Sequence, residues 1–411
     1  MSVTKWAAVA GAATIAAIGV ASLVIALRSG DDEPVKPPPA PEATAVSAPG
    51  FGPPITAADV SASLPATRDG RRLWPEGTWG ERIVLNAERP VPVLPGEPVG
   101  QEPNRYDQQF LAWDADSNNF QPLWTNESGR YESVLSTDGD WALSELYKNN
   151  PQSQWELRLH NMATGELRTL DAETAETRGT TPSALTAARV VADSVLWVNA
   201  VVEDGHRFEQ MRMYAISTGK LSIIDSVPVL AEQRSQSPFY PGGIDGDTVA
   251  YLRKSPRGPH GVVLRSVANG TERELAPPAG TLWEAISPDA KFAVARQEPA
   301  PTVGSGPEGP RFAVNLETGE VRRFAEGQSY GFGLDFADGY VSWQVPAADN
   351  AVNGFYSLDS GLARILDPSV PVDGQGARVF DGWFFWRERA PGAPAASNDR
   401  ANGILRFIRL P

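Results

Sequence analysis

The sequence predicts an all-β fold: a β-propeller of seven blades, with six as the alternative count, preceded by one transmembrane helix and a Pro-rich linker. Two recurring turns and one long apolar run predict it. The first turn is Asp-Gly or a near equivalent. It stands at Asp138-Gly139, Asp193-Ser194, Asp245-Gly246, Asp289-Ala290, Asp338-Gly339 and Asp381-Gly382, each before an apolar strand such as WALSEL or WFFWRE. Asp tolerates left-handed backbone and Gly supplies positive φ without a clash. Between apolar runs, this dipeptide is a strong hairpin signal. The second turn reads Thr164-Gly165, Thr218-Gly219, Asn269-Gly270, Thr318-Gly319 and Ser360-Gly361, with a degenerate copy at Asn118-Asn119. The units recur roughly every 40 to 55 residues, the spacing of propeller blades. A single twisted sheet cannot bury both faces, and radial stacking gives each face a neighbour.

In chain order, residues 1–5 form a short tail and 6–28 an anchor. Trp6 to Leu27 carries no charge and has the length of about 20 apolar residues that spans a bilayer. It exceeds the apolar core of a cleaved signal peptide. A short tail before one apolar run leaves the large domain outside the cell membrane, as a single-pass, extracytoplasmic domain. Residues 29–71 form the linker. Its stretch PVKPPPAPEATAVSAPGFGPPIT has few large apolar residues and acts as an extended spacer. Residues 72–411 form the propeller. RLWPEGTW, RIVLNA, QFLAWDAD and FQPLW supply the first blade. The last unit supplies ARVF, WFFWRE and ILRFIRL and stops before a fourth strand.

Ser287-Pro288-Asp289-Ala290-Lys291-Phe292-Ala293, and more loosely Ser136-Thr137-Asp138-Gly139-Asp140-Trp141-Ala142, resemble the Ser-Pro-Asp-Gly signature of TolB-like propellers. The resemblance spans roughly residues 130 to 411. It implies the fold, and it implies no active site, because the motif is structural in that family.

Composition removes several functions. Net charge is -14, with 36 basic against 50 acidic residues, which gives no electrostatic route to nucleic acid. The absence of cysteine removes disulfides, thiol catalysis and thiolate metal sites. No G-x-S-x-G elbow is present. The twelve tryptophans fall mostly on strands and read as core between blades.

The tight turns share one end of the propeller, so the long connections share the other. Those connections include 147–155, 201–210, 253–261, 297–311 and 387–402. Loops on a rigid scaffold carry most binding residues. The candidate binding face is therefore Glu203, Asp204, His206 and Arg207, then Lys254, Arg257 and His260, then Arg387, Arg389 and Arg400. Two histidines on separate loops fall short of a metal-ligand set. No metal, cofactor or catalytic residue is expected. The expected function is a non-catalytic binding or scaffolding module for a protein or envelope ligand on this face. The alternative is a propeller enzyme acting on an envelope glycan or peptide. Perturbed carboxylates at the channel mouth favour the enzyme.

Overall fold

A computed structural model describes residues 50–90, 106–128, 130–147, 155–174, 187–229, 237–254, 260–297, 310–325, 334–337, 339–345, 352–370, 372–389 and 403–411. All of them fall in one compact unit, Ala40–Pro411. The residues of the expected anchor lie outside this set. Among the described residues no helix is long and apolar enough to cross a membrane.

Seven antiparallel sheets form the blades. Their first strands, from blade I to blade VII, are Arg71–Trp79, Tyr131–Asp138, Arg189–Val191, Phe239–Asp245, Thr281–Ile286, Asp335–Ala337 and Val372–Phe380. Residues from all seven line one central cavity, so these are the inner strands. In blades I to VI the next three strands follow outward in sequence order.

Blade VII closes differently. It has only three strands of its own, and its fourth is Ala62–Pro65, which pairs antiparallel with Gly403–Arg409. Gly50–Phe51 adds a parallel strand to the outer edge of blade VI. Residues 50–68 thus belong to the propeller, although the sequence reading placed them in the linker. The blade count of seven is the one observed.

The core lies between blades. Seven apolar clusters are found among the described residues, one at each blade junction. Val84 and Phe110 of blade I meet Val134 and Ala142 of blade II. Trp155 of blade II meets Trp197 of blade III. Leu73 and Trp113 of blade I meet Trp383 and Phe407 of blade VII, which closes the ring. Trp113, Trp155, Trp197 and Trp383 therefore serve as inter-blade core, as their strand positions predict. The turn glycines also behave as their context requires: Gly139 and Gly246 have φ of 55° and 53°.

Candidate functional site

The cavity of about 800 Å³ opens at the tight-turn end and runs between the inner strands. Strand register identifies one layer of equivalent positions in its wall. In six inner strands this is the residue two steps before the last pair with the second strand; in blade V, whose turn is longer, it is the residue one step before the last pair. In blade order these are Gly77, Ser136, Arg189, Gly243, Ala285, Asp335 and Arg378. Four are small and three are charged.

The small residues let inner strands approach each other. A Cβ on Gly77 would sit 2.4 Å from Thr137 Oγ1, and one on Gly243 would sit 2.1 Å from the Pro288 carbonyl. That proximity produces hydrogen bonds between blades. Thr78 N donates to Thr137 Oγ1 at 2.9 Å, Val190 N to Ser136 Oγ at 2.7 Å, and Ile244 N to Pro288 O at 2.9 Å.

Just before this layer, blades I, II, IV and V each carry a β-bulge, whose extra residues are Glu76, Leu135, Gly242 and Glu284. Bulges re-aim a side chain and recur beside active sites. Glu76 is the one that brings a carboxyl to the cavity wall. It is only 8% exposed. Burial pushes its pKa from the ordinary 4.5 up to about 8, against the pull of Arg378 and Asn86. The carboxyl is therefore protonated at neutral pH. Its surroundings agree. Asn86 is fully buried, with Nδ2 3.4 Å from Glu76 Oε1 and with Oδ1 lacking a partner among the described residues. Rotating that amide by half a turn lets Oδ1 accept the carboxylic O–H.

The charged ring members differ. Arg378 donates from Nε and NH2 to the two oxygens of Asp335, both at 3.0 Å, a bidentate pair. Arg189 starts in blade III and reaches blade V, where NH1 donates to the Ile286 carbonyl at 3.2 Å. Burial lowers its pKa to about 10, so it stays charged at neutral pH. Among the described residues no three His, Asp or Glu side chains gather as a metal-ligand set.

A second polar cluster lies between blades I and II. Glu132 Oε1 accepts from Ser144 Oγ at 2.6 Å and sits 2.8 Å from His160 Nε2, and Trp124 stacks on the imidazole at 4.2 Å. The residue types match a serine triad and the geometry does not. Serine and glutamate meet the same ring nitrogen, whereas a triad uses both nitrogens. Ser144 is also completely buried. This cluster satisfies a buried carboxylate.

The residues singled out in the sequence stand elsewhere. The stretch 201–210 is no long loop. It is a two-residue hairpin between Ser194–Glu203 and His206–Ala215, with Asp204 and Gly205 at φ of 51° and 76°. Glu203 and His206 face each other across it, and Arg207 pairs with Glu209 at 3.2 Å. Lys254 and His260 are opposed in blade IV, and His260 packs edge-on against Tyr240. Arg387 is buried, and Arg389 donates to the Val372 carbonyl at 3.3 Å. Arg257 and Arg400 lie outside the described residues. None of the described members lines the central cavity.

Glu76, Arg189, Asp335 and Arg378 escaped the sequence reading. Their signal was a fixed step before each turn. Turns of unequal length and the bulges blur that step.

No protein-family model and no curated protein matches this chain. Solved structures do. The β-propeller domain of the Trilobed protease from Pyrococcus furiosus matches with a TM-score of 0.51 at 10% identity, over 82% of this chain and 93% of that one. The Pyrococcus horikoshii acylaminoacyl peptidase matches at 0.52 and 11% identity, over 83% of this chain and 52% of that one. A TolB from Agrobacterium tumefaciens is also matched, with a TM-score of 0.41 at 13% identity, over 74% of this chain and 98% of that one. The chain spans about half the length of the acylaminoacyl peptidase. At these identities the likeness is one of fold, and the β-propeller suggested by the Ser-Pro-Asp motif is the fold observed.

The expected function requires correction. Two of the three matched structures above are peptidases or their propeller domains, and the channel holds a strongly perturbed carboxyl at Glu76. The non-catalytic module, with no enzymatic role, gives way to the enzyme reading.

Proposed function

We propose that this chain is an enzyme-type propeller acting on a cell-envelope glycan, with the central channel as its reaction centre. The observation that carries the reading is Glu76, a carboxyl kept protonated by burial in the wall of an open cavity. A proton donor and a second carboxylate in the wall of one cavity are equipment for glycosidic cleavage. Glu76 gives its proton to the leaving-group oxygen as the C–O bond breaks. A water attacks the freed carbon, and its proton passes to Asp335. Arg378, between the two carboxyls in blade order, holds Asp335 in place. A peptide substrate is favoured less, because neither serine of the cavity wall meets a base suited to activate it. Ser136 Oγ is taken by Val190 N, and Ser287 Oγ donates to Asp289 in a turn.

The envelope assignment rests on the sequence. The apolar run from Trp6 to Leu27 anchors the chain in the cell membrane, and the Pro-rich spacer presents the propeller on the extracytoplasmic side.

The test is to incubate the full chain with isolated envelope polysaccharide and to measure new reducing ends. Wild type releases them, and Glu76→Gln releases about 100-fold fewer or less. New amino termini in place of reducing ends would make the substrate a peptide. Neither product from any envelope fraction would remove the enzyme reading.

A further inference from the structure

Two arginines share the ring with one carboxylate, and only one of them bonds to it. Arg378 is taken by both oxygens of Asp335. Arg189 meets a neutral carbonyl, and no other acceptor among the described residues takes a hydrogen bond from it. Asp335 attracts it through space, but that carboxylate is already bonded to Arg378, so the Arg189 fork keeps donors for an anion of its own. The ring makes room for that anion. Ala285 and Ser136, which line the same cavity, add little bulk.

We infer that Arg189 is a specificity residue that binds the carboxylate of an acidic sugar, so that the channel takes uronate-type residues of a glycan. The inference rests on the glycan reading above and names its substrate class. Three features support it. First, the planar guanidinium fork fits a carboxylate through two parallel hydrogen bonds. Second, the ring holds two cations, Arg189 and Arg378, against the single carboxylate of Asp335. Third, the rim selects against heavily charged molecules. Asp138 accepts from the Ala192 amide, and Asp289 accepts from the Lys291 amide at 3.1 Å. Both stand at the cavity mouth. A sugar ring with a single carboxylate passes that rim and can offer its hydroxyls to these oxygens.

The experiment is calorimetric titration of the full chain with methyl glucuronide and methyl glucoside, which differ only at C6. Wild type is expected to bind the glucuronide at least 10-fold more tightly. In Arg189→Gln the two sugars should bind within 2-fold of each other, with the glucoside unchanged. In Glu76→Gln the acid preference should persist while glycan turnover is lost. Equal affinities in wild type, no binding of the glucuronide, or a preference that survives Arg189→Gln would overturn the assignment. The wild-type comparison decides even if Arg189→Gln fails to fold. Turnover loss in Glu76→Gln with no acid preference would sink Arg189 alone, and acid preference without turnover in wild type would sink the reaction centre alone.

Discussion

Arg189 and Arg207 both belong to blade III, and their surroundings differ in kind. Arg207 lies beside a hairpin tip and pairs with Glu209, two residues along its own strand. Arg189 leaves its blade, passes the next, and bonds to the blade after that. A charge at a strand end can be satisfied locally, and its sequence neighbours announce it. A charge in the channel is satisfied by segments far apart in sequence. Such a site forms only once the ring has closed, so its residues carry chemistry that local pattern cannot reveal.

The strongest way to sharpen this contrast is at Glu76. Glu76→Gln keeps the shape and the contact with Asn86 and removes the acid. Turnover of the envelope glycan should fall by about 10²- to 10⁴-fold, the range for a general acid. The melting temperature should not drop. A variant with full turnover would move the chemistry out of the channel.

A matched pair of glycine substitutions comes next. In Gly243→Ala the new Cβ faces the Pro288 carbonyl at 2.1 Å, a backbone atom with nowhere to go. The change should destabilise by about 3 kcal/mol, as overpacking does. In Gly205→Ala the Cβ meets open space, and only the φ of 76° is unfavourable. That change should cost about 1 kcal/mol. Chemical denaturation measures both. Equal costs would mean that the inner strands are not the tightly packed region.

Stability against pH tests the burial of Glu76 directly. Unfolded, its carboxyl ionises near 4.5, and folded it ionises near 8. Between those values the folded chain keeps a proton that the unfolded chain has lost. Its contribution is therefore fully present below the unfolded value and is lost as pH rises through 8, at about 1.4 kcal/mol per pH unit. Glu145, pushed to about 7 by burial, adds a similar slope over the lower part of that window. Glu76→Gln should flatten the curve and leave the Glu145 part. An unchanged curve would mean that Glu76 ionises normally.

These tests also mark what the sequence made legible. The blades were readable because Asp-Gly and Thr-Gly turns are local, and each needs only a few adjacent residues to form. The ring closure was not readable. Ala62–Pro65 is four residues long, buries only Leu64, and pairs with a strand at the far end of the chain. The hairpin at Asp204-Gly205 bears the same signal as the other turns. The polar run EDGHRFEQ hides the strands on either side, so the sequence alone suggests a long loop there. Channel residues failed for a third reason. Arg189 and Asp335 open inner strands of only three residues, too short to show alternation.

The smallest expected effect is at His206. It is exposed, and it stands opposite Glu203 at the hairpin tip, with Asp204 and Gly205 making the turn. The turn is held by its backbone and by the glycine, so the imidazole supports nothing. His206→Ala should change stability by less than about 0.5 kcal/mol, as surface substitutions do. Glycan turnover and the acid preference should both stay at wild-type values, because no residue of this hairpin reaches the channel wall. Its value lies in the direction of a surprise. If turnover fell 10-fold with the melting temperature unchanged, the working surface would be the hairpin end, and the channel would be scaffold.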